Sequence, residues 1–247
     1  MSGHSKWHNI QATKNKADAA RGKIFTKIGR EIAVAVKQGG ADPNANPSLR
    51  AIIYKAKQNN MPNDNIQRSI KKASGELGSI NYEEITYEGY GIAGSAVIVE
   101  CLTDNKNRTA GDVRHAFDKH GGALGSVGCV SYLFDKKGLL ILENNGKIDE
   151  ENLIEVCLEA EAEDVINDGD VFQIITTPSN FTQVKETLEG KGLSFLSAEV
   201  TMIPQSYIDL TDAQLESFRK LVDTLEDLDD VQNVYHNVNF PDEEEEE

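Results

Sequence analysis

The chain has 247 residues, with 25 Lys and Arg against 41 Asp and Glu and a formal net charge of −16. That length allows one to three domains and a real core, while the lack of an 18-residue apolar run and of a signal-peptide core in Met1 to Trp7 leads us to expect a cytoplasmic protein with no membrane partner. The average charge hides a polarity, because residues 1 to 78 hold 10 Lys and 4 Arg against 3 Asp and 2 Glu, net +9, and the remainder holds 11 basic and 36 acidic residues, net −25; a field segregated in this way suits a polyanion.

From Ser2 to about Arg21 the sequence is polar, carries Lys6, Lys14, Lys16 and Arg21, and has only Trp7 and Ile10 as larger apolar residues. It reads as an arm that cannot order itself by burial. Lys23 to Gln38 places Ile24, Phe25, Ile28, Ile32 and Ala35 at helical spacing. Lys23, Lys27, Arg30 and Lys37 follow the same period within a sector of about 80° on the other side, so a solvent-facing cationic stripe is expected. Asn46 and Pro47 start a second helix with Leu49, Ile52, Ile53 and Ala56 inward and Lys55 and Lys57 among its polar residues. A third begins near Asn63, with Ile66, Ile70 and Ala73 inward, Arg68, Lys71 and Lys72 outward, and Gly75 as the stop. Together these make a small three-helix bundle.

After Gly78 the period becomes strand-like. Tyr82 to Glu88 and Ser95 to Leu102 read as a hairpin, Thr109 to His120 as a helix with a Thr109 and Asp112 capping box, and Cys129 to Phe134 as a strand. Next come a strand at Leu139 to Leu142, a helix at Glu150 to Glu163, strands at Val165 to Asn167 and Val171 to Thr177, a helix at Phe181 to Leu188 and a strand at Phe195 to Met202. That is the β-α-β-β-α-β order of a ferredoxin-like module. A helix at Thr211 to Leu228 and a strand at Val231 to Val238 supply what the unit before Asp135 lacks. The expected architecture is α+β: a basic arm and bundle over 1–78, a discontinuous ferredoxin-like middle domain over 79–134 and 207–240, a second ferredoxin-like domain inserted over 135–206, and an acidic disordered tail over 241–247.

Several motifs need weighing. Gly89, Gly91 and Gly94 spell G-x-G-x-x-G, but a strand follows where a dinucleotide site needs a helix, so a hairpin turn is expected, its glycines supplying positive φ. The Gly121 to Gly128 loop follows a helix C-terminus, where the dipole repels anions, and reads as a cap and connector. The loop Asp104 to Thr109 is the better anion site, since Lys106 and Arg108 precede a helix N-terminus. Trp7, between Lys6 and His8, can stack on an unpaired base or pack on the first helix. His4 and His8 without a third ligand do not make a metal site, and Cys101, Cys129 and Cys157, far apart and without C-x-x-C spacing, read as core residues. His115 and His120 sit among Arg114 and Lys119, and the acidic pairs Glu83, Glu84 and Asp229, Asp230 fall at element edges, so no catalytic constellation emerges. No enzyme activity, cofactor or metal is expected.

The opening Met1-Ser-Gly-His-Ser-Lys-Trp7, the run Arg21-Gly-Lys-Ile-Phe-Thr-Lys27, the stretch Met61-Pro-Asn-Asp-Asn-Ile66, Tyr87-Glu-Gly-Tyr-Gly91, Thr103-Asp-Asn-Lys-Asn-Arg-Thr109, the segment from Val113 through Gly122 and Asp230-Val-Gln-Asn-Val-Tyr-His236 closely resemble the YebC family. One departure is that Ile92 and Ala93 stand where the family usually continues with Pro-Gly. The resemblance implies a three-domain α/β protein with a cavity between domains, described as a probable DNA-binding transcriptional regulator. It also implies kinship with the mitochondrial translational activator of cytochrome c oxidase subunit I and with bacterial factors that relieve ribosomes stalled at proline-rich sequences.

The favoured reading is a monomeric translation factor whose arm and bundle contact rRNA or tRNA phosphates on the ribosome. A DNA-binding transcriptional regulator is the alternative. RNA is preferred because a duplex reader groups Arg, Asn or Gln on a recognition helix, and the third helix offers only Asn65, Gln67 and Arg68. A small-molecule sensor rests on fold analogy alone.

Overall fold

Residues 19–75, 81–146 and 148–240 are described by a computed structural model. Helix α1 (Ala19–Gly39) begins inside the stretch expected as an arm, and α2 (Pro47–Gln58) and α3 (Asn63–Ser74) both pack against it. Their apolar stripes meet in one core of Ile28, Ile32, Val36, Leu49, Ala56, Ile66 and Ile70. The elbow between α1 and α2 is fixed by Asn46, which is buried. Its Oδ1 accepts from the Leu49 amide at 3.1 Å, and its Nδ2 donates to the carbonyls of Ala35 at 2.8 Å and Gly40 at 2.9 Å. One side chain thus caps the start of α2 and satisfies carbonyls at the end of α1.

Strands β1 (Glu83–Tyr90) and β2 (Ala96–Thr103) pair antiparallel from Glu83 opposite Thr103 to Tyr90 opposite Ala96. The turn between them takes positive φ at Ala93 and Gly94. Gly89 and Gly91 serve a different purpose: a Cβ on Gly89 would lie 2.7 Å from the Ala123 carbonyl, and one on Gly91 2.9 Å from the Phe218 ring. Helix α4 (Lys106–Lys119) and the two-residue strand β3 (Ala123–Leu124) follow. Near the chain end, α7 (Asp212–Glu226) starts in a Thr211 and Gln214 capping box and leads to β8 (Val231–His236). The sheet order is β3-β1-β2-β8, with every neighbouring pair antiparallel, and α4 packs against α7.

Between these halves of the middle sheet the chain forms β4 (Phe134–Glu143), α5 (Glu150–Glu159), β5 (Asp164–Asn167), β6 (Val171–Thr176), α6 (Phe181–Gly190) and β7 (Phe195–Pro204). Their antiparallel sheet has the order β5-β6-β4-β7, and the helices close over a core that includes Leu140, Leu142, Cys157, Phe172, Ile174, Val184 and Leu188. This is a ferredoxin-like module in an α+β protein that opens with a three-helix bundle. The described residues fall into two compact units, one running to Ser131 and including Leu210–His236, the other spanning Tyr132–Asp209 and resuming at Asn237.

Three local expectations need correction. The stretch Cys129 to Phe134 is not a strand: Ser131–Leu133 is a 3-10 turn, and the edge of the middle sheet is β3, inside the glycine-rich loop. The helix expected to reach Glu163 stops at Glu159, because Glu161 takes φ +66° and the Ala162 amide closes back on the Cys157 carbonyl at 2.9 Å. Thr109 does not cap α4. Asn105 does, accepting from the Arg108 amide at 3.1 Å, so the supposed loop from Asp104 to Thr109 already contains the first turn of the helix.

Candidate nucleic-acid interface

The cationic stripe of α1 has the expected helical phase but is not free surface. Lys23 Nζ lies 2.6 Å from Asp227, Lys27 Nζ donates to the Glu226 carbonyl at 3.0 Å, and Arg30 donates to the Leu102 carbonyl at 3.0 Å and pairs with Asp230. Lys37 meets the Asn81 side chain. Periodicity shows which residues share a face and not what covers that face. Here the acidic corner between α7 and β8 covers its Lys23, Lys27 and Arg30, some 200 residues away in sequence. Burial pulls the Lys27 ammonium below its usual range, against the opposing field of Glu226.

Asp230 is the hub of that seam. Its side chain is 7% exposed and accepts from Arg30, from Arg108 Nη2 at 2.8 Å, from Thr109 Oγ1 at 2.7 Å and from Thr103 Oγ1 at 3.1 Å. Burial alone would raise its pKa, but the bonds from Arg108, Thr109 and Arg30 outweigh that and pull it down to about 2. A cleft of about 480 Å³ opens beside it, lined by Asp104, Asp112, Asp227 and Asp229 as well as Arg30 and Arg108. This surrounding is acidic.

The anion site expected at Lys106 and Arg108 is likewise neutralised from within. Arg108 sits in the first turn of α4 and reaches Asp104 at 2.8 Å as well as Asp230, and Lys106 pairs with Glu83. The glycine-rich loop, expected as a connector, does cradle an anion, but that anion is the chain's own Glu88. The buried carboxylate accepts from the amides of Gly128 at 2.8 Å, Val130 at 2.9 Å and Ser131 at 2.8 Å. Burial would raise the Glu88 pKa, and these three amides reverse the shift and lower it.

What stays open is the outer surface of α2 and α3. Lys57, Arg68, Lys71 and Lys72 are exposed and, among the described residues, meet no carboxylate, whereas Lys55 pairs with Glu31 at 2.7 Å. Arg50 belongs with the free cations and was missed by sequence reasoning, although it lies one helical turn before Tyr54 and two before Lys57. Lys6, Trp7, Lys14 and Lys16, the histidines at 4 and 8 and the tail 241–247 lie outside the described residues, as does the side chain of Arg21. Among the described residues no group of three or more His, Cys, Asp or Glu is arranged to hold a metal ion, and no helix is long and apolar enough to cross a membrane.

Comparison with known proteins bears on the whole chain. A family model described as the TACO1/YebC protein N-terminal domain matches residues 5–76, and one described as the TACO1/YebC second and third domain matches 82–238. Relatives include a probable transcriptional regulatory protein of Hathewaya histolytica, 60% identical over 98% of both chains, and one of Thermoanaerobacter pseudethanolicus, 56% identical over 100% of both. The crystal structure of a conserved hypothetical protein from Aquifex aeolicus superposes with a TM-score of 0.79 at 45% identity, covering 94% of this chain and 95% of that one. Two family models that together span nearly the whole chain, with relatives matched end to end, establish that it belongs to the TACO1/YebC family.

Proposed function

We propose that the protein is a non-enzymatic, cytoplasmic regulator of gene expression that binds nucleic acid through its N-terminal module, residues 1–78, and acts as a translation factor on ribosomes stalled at proline-rich sequences. The observation that carries this reading is the pair of helices α2 and α3, whose Arg50, Lys57, Arg68, Lys71 and Lys72 remain uncompensated while Lys23, Lys27 and Arg30 of α1 and Lys106 and Arg108 of α4 are engaged inside the fold. Uncompensated cations on one module of an otherwise acidic chain attract phosphate through counterion release. Lys6, Trp7, Lys14, Lys16 and Arg21 belong to the same proposed surface, and rRNA or tRNA is its proposed target. A second reading, duplex DNA, is favoured by the relatives' description as probable transcriptional regulatory proteins.

The test replaces Arg68, Lys71 and Lys72 together by Glu and follows co-sedimentation with ribosomes beside binding to duplex DNA. We expect ribosome association to fall at least tenfold with a normal melting temperature. Unchanged sedimentation with lost duplex binding would move the function to transcription.

A further inference from the structure

We propose that the exposed side of α5 is a docking face for a basic protein segment, a lysine- or arginine-rich helix that carries large apolar side chains. The helix joins the core of its module through Leu153, Val156 and Cys157, all buried. If solvation were the only task of its outer side, that side would be polar throughout. Instead Ile154 is 36% exposed and Leu158 62%. These two stand one turn apart in a single row, and Glu151, Glu155 and Glu159 form a second row about 60° round the helix. Glu151 and Glu155 meet no cation among the described residues, and Glu159 lies 3.6 Å from Lys191. Helix propensity alone would justify an exposed leucine but not an exposed isoleucine, whose branched Cβ disfavours the helix.

Charge chooses the occupant. The 22 residues from Asp149 to Asp170 hold ten Asp and Glu and no Lys or Arg. The cations that pair with this stretch come from outside it, Lys137 with Glu163 and Lys191 with Glu159. A field of that sign repels phosphate, which excludes nucleic acid and anionic lipid from this face. A merely cationic ligand would leave the apolar row in water. Both rows are satisfied by a helix that brings ammonium or guanidinium groups to Glu151 and Glu155 and apolar side chains, one turn apart, to Ile154 and Leu158. The face lies on a different module from the cations of α2 and α3, so this proposal and the nucleic-acid reading stand or fall separately.

The test uses the full chain and two labelled peptides of equal charge, one with Lys and Leu at amphipathic helical spacing and one with every Leu replaced by Gln. Fluorescence anisotropy at physiological salt should show the wild type binding the Leu peptide about tenfold more tightly than the Gln peptide. Ile154→Gln with Leu158→Gln should erase that difference and leave binding of the Gln peptide unchanged. Glu151→Gln with Glu155→Gln should weaken both peptides and flatten their salt dependence. Equal affinity of the wild type for the two peptides overturns the proposal, and that comparison needs no variant. Unchanged binding in the glutamate pair overturns it as well, since the peptide then sits on another acidic stretch such as Asp242 to Glu247; these two positions face away from the core, so that result stands even if the apolar pair folds poorly. Self-association of the wild type that the Ile154 and Leu158 replacements abolish would make a second copy the occupant and likewise overturn the proposal.

Discussion

Asp230 shows how one residue can join two parts of a fold. Two guanidiniums and two hydroxyls converge on its carboxylate, and its carbonyl accepts from the Leu102 amide at 2.7 Å. A buried carboxylate left unpaired would be costly, and so would a buried guanidinium, so each makes the other tolerable. In sequence Asp230 looks like half of an acidic pair at an element edge, because nothing local connects position 230 with positions 30 and 108. The one available signal was that Asp230, Arg108, Thr103 and Thr109 all fall in the segments that carry the family resemblance. The folded pKa, about 2, lies below the ordinary 3.8. Its contribution is therefore complete above about pH 4 and is lost as pH falls through 2, and it amounts to roughly 2 kcal/mol. Asp230→Asn should lower stability at neutral pH by about 3 kcal/mol, since the largely buried Arg30 loses its carboxylate and Arg108 keeps only Asp104. Urea unfolding between pH 5 and pH 2 should also show a flatter decline for the variant than for the wild type. Equal slopes would remove Asp230 from the acid-sensitive set.

At the scale of elements, the sequence was most informative where the signal is local. The bundle, the capping of α2 by Asn46, the β1 and β2 hairpin and the β-α-β-β-α-β order of the second module all follow from periodicity and turn chemistry. The bounds of α4 and α5 were missed for local reasons, the Asn105 cap and the positive φ at Glu161, and the other errors arose where a contact distant in sequence decides. Two-residue β3 exists because it pairs with Gly89 and Tyr90, and the loop after it is shaped by Glu88, some 40 residues upstream. For α1, periodicity identified the cationic face and could not identify the acidic corner against it, so a stripe that reads as an interface is a seam in the structure. This yields a contrast between two charge reversals. Arg30→Glu would place a carboxylate against Asp230 where Arg30 is only 14% exposed, and should cost more than 3 kcal/mol, a fall in melting temperature of about 6 to 12 °C for a chain of this size. Arg68→Glu, on an exposed position of α3, should change stability by no more than about 0.5 kcal/mol. A melting curve of each settles it, and equal effects would mean that the seam is not where stability resides.

For the whole molecule, the proposed nucleic-acid reading raises the question of how a chain of net charge −16 could hold a polyanion. Exposed charges separated by more than a Debye length, about 8 Å at physiological salt, hardly feel one another, so the local face counts and the average does not. The internal engagement of five cations of α1 and α4 then becomes informative, because it takes Lys23, Lys27, Arg30, Lys106 and Arg108 from those available to a ligand, and the proposed surface keeps the five on α2 and α3. Each phosphate neutralised on a single strand contributes about 0.7 to the slope of log affinity against log salt. Five contacts therefore predict a slope near −3.5, steepening towards about −6 if Lys6, Lys14 and Lys16 take part. Replacing Arg68, Lys71 and Lys72 by Gln should flatten the slope by about 2. Lys23→Gln should leave it unchanged, since that ammonium is already held by Asp227. Titrations at several salt concentrations read these slopes directly. If Lys23→Gln flattens the slope while the α3 replacements do not, the ligand must open the seam between α1 and the acidic corner, and binding would then be coupled to a rearrangement of the fold itself.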